Sequence, residues 1–160
     1  MPHRRPERPD VTPVGGLDEA KLHEILGYQL AQATIAATGV FTRLVGDVFE
    51  LRPVEYTILA LVKENPDGSA SRLAKALGVT APNITMWIDR LEKRGLVQRQ
   101  ASTTDRRAQQ LRVTAKGAQL ADKATRQLLA GERAEIEVLT TAERAILIEL
   151  LHKVACSRRA

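Results

Sequence analysis

The chain has 160 residues, 44% apolar and 27% charged, a balance that excludes wholesale disorder and suits one compact domain or two sharing a core. Aromatics make up only 3%, so the core must be aliphatic, and the single cysteine, Cys156, excludes both an intramolecular disulfide and Cys-rich zinc sites. The net charge of +5 is uneven: residues 71–116 hold ten Lys or Arg against three acids, so this block carries +7 and the rest of the chain −2. Such a concentration is the footprint of a polyanion-binding module, with a solvated basic face as the plain alternative.

Residues 1–16 hold four of the seven prolines and end in Gly15-Gly16, which reads as a flexible arm. The basic opening, Met1 to Arg8, is followed by no apolar region, and no apolar stretch approaches the roughly 18–20 residues of a membrane span. The expectation is a cytoplasmic protein without a membrane partner. From Leu17 to about Phe49, Leu22, Ile25, Leu26, Leu30, Val40, Phe41, Leu44 and Val48 recur at helical spacing, a long first helix interrupted near Gly39. Pro53 suits the first turn of a second helix, which runs through Ile58, Leu59 and Val62 and stops in the turn signal Asn65-Pro66-Asp67-Gly68.

Ser69 caps a short third helix with Leu73, Ala74 and Leu77 inward, and Gly78 supplies its left-handed end. Thr80 then caps a fourth helix that buries Ile84, Trp87, Ile88 and Leu91 and turns Asn83, Met86, Asp89, Arg90 and Lys93 outward. Two short amphipathic helices joined by a glycine-containing turn form the helix-turn-helix pattern. Gly95 ends the fourth helix, and Val97–Gln100 and Gln109–Val113 read as strands flanking a polar tip, a β-wing. Thr114 caps a fifth helix reaching about Glu137. Thr140 and Glu143 form a capping box before a last helix, whose stripe is Ile146, Leu147, Leu150, Leu151 and Val154. The fold class expected is mainly α with a small β wing, in the order α-α-α-α-β-β-α-α.

The run LGVTAPNITMWIDRLEKRGLVQRQASTTDRRAQQLRVTAKG resembles the signature of the MarR-type (multiple antibiotic resistance regulator) family of bacterial transcription factors. The matching marks are Leu91 followed by Gly95-Leu96-Val97, then Asp105-Arg106-Arg107, then Val113-Thr114 with Lys116-Gly117; Leu51-Arg52-Pro53 with Tyr56, Leu59 and Leu61 resembles the family's second helix. The resemblance covers about residues 20–155. It implies a homodimer, joined through the first, fifth and sixth helices, that represses from a pseudo-palindromic operator in double-stranded DNA. The apolar stripes of the terminal helices, long for a 160-residue monomer to cover, independently favour a shared core. The domains expected are a 1–16 arm, a 17–50 plus 115–160 dimerisation region, and a 51–114 winged helix-turn-helix.

Candidate DNA-binding residues follow. Thr80, Pro82, Asn83, Thr85 and Met86 open the fourth helix; Asn83 has the amide for bidentate pairing with adenine, and Thr85 the hydroxyl and methyl for phosphate or thymine. Met86 stands where the family commonly carries a basic residue. Arg90 and Lys93 are placed to grip backbone, as are Arg99 and Arg112 on the strands. By resemblance, the wing tip sends Arg106 into the minor groove, whose narrow form attracts a guanidinium, with Asp105 orienting an arginine and Arg107 beside it. Arg4, Arg5 and Arg8 are further candidates from the arm. For each, a solvated polar residue is the alternative.

The family commonly releases DNA on binding a small, often aromatic and acidic effector. His23, Tyr28 and Arg43 on the first helix are candidates to line such a pocket, with ordinary core or surface roles as the alternative. Cys156, near the C-terminus, reads as an incidental, partly buried thiol rather than a redox sensor. There is no Gly-rich phosphate loop, no H-E-x-x-H and no G-x-S-x-G, and the histidines His3, His23 and His152 lack metal-ligand spacing. Neither an enzyme nor a cofactor or metal is expected. The rival reading is a winged-helix adaptor for protein partners, for which the +7 block has no use.

Overall fold

A computed structural model describes residues 10–66, 68–101 and 109–158. The chain divides into two compact units, residues 1–39 and 40–160.

In the first unit, the end of the expected arm is ordered locally. An antiparallel bridge joins Val11 to Asp18, and Thr12 receives the Leu17 amide on its hydroxyl at 2.9 Å, closing a turn through Gly15 and Gly16. A 3-10 turn, Ala20–Glu24, follows, and Ile25 is extended, so the first α-helix begins nine residues after the boundary expected at Leu17, not at it. That helix, α1, spans Leu26–Phe41; its last two residues belong to the second unit and are buried. It runs through Gly39 without a break. The irregularity comes at Thr42–Gly46, which winds as a π-helix before a final turn, Asp47–Phe49. The wider turn carries Val45 fully into the core, and Gly46 closes against the Leu51 carbonyl and the Phe41 ring.

The second unit holds the winged helix-turn-helix. Helix α2, Pro53–Glu64, starts with proline at the position where a missing N–H costs nothing, and Glu55 accepts the Arg52 amide at 3.0 Å. Its Ile58, Leu59 and Val62 are buried. Helix α3, Ala70–Leu77, has Ser69 as its N-cap, accepting from the Arg72 amide at 3.3 Å. It ends in a Schellman arrangement: Gly78 adopts φ +65°, its amide reaches the Lys75 carbonyl, and the Val79 amide reaches Ala74. Helix α4, Ala81–Lys93, buries Ile84, Ile88 and Leu91 and packs Trp87, half-buried, against the core.

Strands β1, Val97–Ala101, and β2, Gln109–Val113, pair antiparallel with Val97 opposite Val113 and Arg99 opposite Leu111. The Leu111 amide donates to the Gly68 carbonyl at 2.9 Å, so the hairpin is also stitched to the turn before α3. Helix α5, Ala115–Glu135, is capped by Thr114, whose hydroxyl accepts the Gly117 amide at 3.0 Å. A Cβ on Gly117 would lie 2.0 Å from the Leu96 carbonyl oxygen, so only glycine lets α5 approach the wing this closely. Gly117, Ala121, Ala124 and Leu128 form its buried stripe, and the Tyr56 hydroxyl bonds Thr125 at 2.9 Å to join α2 to α5. Helix α6, Thr141–Cys156, opens with both bonds of the Thr140–Glu143 capping box and buries no residue. Just beyond it, the Arg158 guanidinium donates to the Ala76 and Lys75 carbonyls at the end of α3.

Candidate nucleic-acid interface

The interface is built outward from the buried face of α4. With Ile84, Ile88 and Leu91 locked in the core, helical geometry turns Pro82, Asn83, Thr85, Met86 and Lys93 to the surface, where all five are exposed. A shallow groove of about 650 Å³ runs along this face past Pro82, Thr85, Met86 and Lys93. Its hydroxyl, methyl and ammonium groups suit phosphates and base edges, with Asp89 and Arg90 also on its wall.

Several expected roles change once the side chains are placed. Thr80 occupies the N-cap position with extended backbone, but its hydroxyl makes no capping bond. One of the two amides an N-cap can serve is missing, because Pro82 has no N–H. The Thr85 hydroxyl donates to the Ala81 carbonyl at 2.9 Å, which leaves its methyl and lone pairs for a partner. Arg90 is half-buried, its guanidinium 3.7 Å from the Glu55 carboxylate, and Glu55 is itself buried at 6% exposure. Arg99 is not open to a phosphate: its guanidinium is bonded to both Asp89 and Glu92 of α4. Arg112, half-buried on β2, pairs with Gln98 in the sheet register. Asp105, Arg106 and Arg107, and with them the wing tip, lie outside the described residues, as do Arg4, Arg5 and Arg8.

The effector candidates fall in both units. In the first unit His23 and Tyr28 share the buried Glu19, which accepts the Tyr28 hydroxyl at 2.9 Å and lies 2.9 Å from His23 Nδ1. Desolvation, and then the Glu19 hydrogen bond, push the Tyr28 phenol above its ordinary pKa, so it stays a neutral donor. Arg43 belongs to the second unit and pairs with Glu135 at 2.5 Å. Glu19 escaped the sequence reading; its spacing of four before His23 was the available signal. A second groove, about 560 Å³, opens between the Gly46–Pro53 segment and the end of α4, beside Arg52 and Arg94. Arg94 closes its floor by donating to the Glu50 and Phe49 carbonyls. Cys156 is exposed rather than partly buried, with its sulfur 3.5 Å from His152 Nε2. Among the described residues no group of three or more His, Cys, Asp or Glu stands close enough to hold a metal ion, and no helix is long and apolar enough to cross a membrane.

Known proteins match this arrangement closely. The model of the MarR family matches residues 51–108, the segment from the start of α2 into the wing. A curated protein of Thauera aromatica, described as a putative transcriptional regulatory protein for the hcr operon, is 33% identical over 129 residues, 81% of this chain and 78% of its own. The transcriptional repressor CouR bound to a 23-mer DNA duplex superposes with TM-score 0.79 at 32% identity, covering 88% of this chain and 99% of that one. CouR bound to p-coumaroyl-CoA superposes with TM-score 0.76 at 29% identity, covering 89% and 99%.

Proposed function

From the premise that the chain belongs to the MarR family of transcriptional regulators, we propose that it is a homodimeric repressor of a pseudo-palindromic operator, released by a small aromatic effector. The observation that carries the reading is the outer face of α4: three buried aliphatic residues lock one side, and Asn83, Met86 and Lys93 are turned outward within the most basic stretch of the chain. In this reading α4 enters the major groove. The Asn83 amide reads an adenine edge, the Thr85 methyl and Met86 make apolar contact, and Lys93 holds the backbone. Thr80 and Pro82 set the helix start against a phosphate. The wing tip reaches the adjacent minor groove with Arg106, while Asp105 and Arg107 shape the turn. A two-fold dimer would place two such helices about one DNA turn apart.

The dimer is supported by α6, whose Ile146, Leu147, Ile148, Leu150, Leu151 and Val154 are all between 39% and 59% exposed. A contiguous apolar face of that extent calls for a partner surface, and a second copy of the same helix supplies a self-complementary one. CouR's complex with p-coumaroyl-CoA supports an effector class of aromatic acids or their coenzyme A thioesters. An effector releases the operator only if it binds the DNA-incompetent form more tightly.

The test is a gel-shift titration on the protein's own upstream intergenic DNA against a scrambled duplex, at two salt concentrations. A specific complex that weakens as salt rises, with a two-fold footprint, is the expected result. Aromatic acids and their thioesters are then screened for release. Loss of all DNA binding, including the non-specific kind, would replace this reading with the protein-partner adaptor.

A further inference from the structure

The recognition helix carries two acids on the flank beside the wing, Asp89 and Glu92, three residues apart and so neighbours on one face. Left bare, both carboxylates would repel the phosphates that the helix is proposed to approach. Arg99, the third residue of β1, meets both. One guanidinium nitrogen donates to Glu92 and the other to Asp89, while the Arg99 amide donates to the second oxygen of Glu92 at 3.3 Å. The planar fork of arginine suits this bridge, which the single ammonium of lysine cannot make with the same geometry. Its side chain is only 27% exposed, against 45% for Asp89 and 38% for Glu92.

We propose that Arg99 is a positioning residue for DNA recognition, a clamp that neutralises Asp89 and Glu92 and ties the root of the wing to α4. The inference rests on the regulator reading but assigns Arg99 a different task from gripping a phosphate. Among the described residues strand β1 pairs with β2 in a two-stranded sheet, so the hairpin's tilt against α4 is set by its few buried residues, by the Leu111–Gly68 bond and by this polar tie. Helix and wing then reach DNA as one rigid pair, with no ordering cost left for the moment of binding.

The experiment compares Arg99→Ala in two backgrounds, the parent protein and Asp89→Asn/Glu92→Gln, by operator affinity and by amide hydrogen exchange of the free protein. In the parent, Arg99→Ala should weaken binding about tenfold or more, the coupling expected within one ion-pair network. In the neutralised background the same substitution should cost much less, because no carboxylates are uncovered. Arg99→Ala should also speed exchange at the amides of Arg99 and Leu111 without DNA present, and Arg99→Lys should recover part of both effects. An equal loss of affinity in both backgrounds, with exchange unchanged, would make Arg99 a direct phosphate contact and overturn the proposal. If the parent binds no operator, the regulator reading fails by itself, and the exchange measurement still decides the clamp.

Discussion

Helices α4 and α6 both carry aliphatic residues along their length, yet they stand in opposite relations to the chain. Helix α4 finds partners within its own unit and buries Ile84, Ile88 and Leu91 almost completely. Helix α6 carries more aliphatic residues and buries none. The winged helix-turn-helix finds its core within one chain, while the terminal helix leaves its aliphatic face uncovered, as the proposed dimer requires. The face proposed to read DNA is backed by its own unit's core, and the surface proposed to join two copies is left open.

The largest expected effect would come from charging that open face. Leu147→Glu with Leu150→Glu should halve the mass found by sedimentation and abolish specific operator binding, because a single copy engages only one half-site. An unchanged dimer mass would break the comparison. Next comes a paired test of the two helices. Ile88→Ala should cost about 2–5 kcal/mol and lower Tm equally at all protein concentrations, as a cavity in a self-contained core does. Ile148→Ala should instead give a Tm loss that depends on concentration, since linkage to assembly makes it so.

A smaller effect is expected at the wing. Arg106→Ala should cost about 1–3 kcal/mol of operator binding while leaving thermal unfolding in place. Normal binding by this variant would remove the minor-groove role. The smallest effects separate two threonines that look alike in the sequence. Thr140→Ala breaks a formed capping box and should cost about 1 kcal/mol of stability, read by denaturant titration. Thr80→Ala removes no capping bond and should change stability by less than about 0.5 kcal/mol, with any loss showing in DNA binding alone.

Most of the winged unit is legible in the sequence. Ser69, Gly78, Thr114 and the Thr140–Glu143 pair mark helix ends through bonds that span three or four residues, and the structure makes each of those bonds. Proline escaped this logic at one point, because Pro82 withdraws one of the two amides that a cap at Thr80 could serve. The interruption of the first helix was expected at Gly39 because glycine is a weak helix former, but Gly39 is helical. The winding changes instead at Thr42–Gly46, where Val45 is fully buried.

The order of the winged elements, the three buried aliphatic residues of α4 and the family are legible in the chain alone, because capping, left-handed glycine turns and helical periodicity act between residues close along the chain. Which charges remain available depends on the fold. Arg43 is taken by Glu135, 92 positions away, Arg90 by Glu55, and Arg99 by two acids of the neighbouring helix. A guanidinium reads the same in a sequence whether it faces solvent or a carboxylate; its partner is set by how the helices pack, and packing is a property of the folded chain.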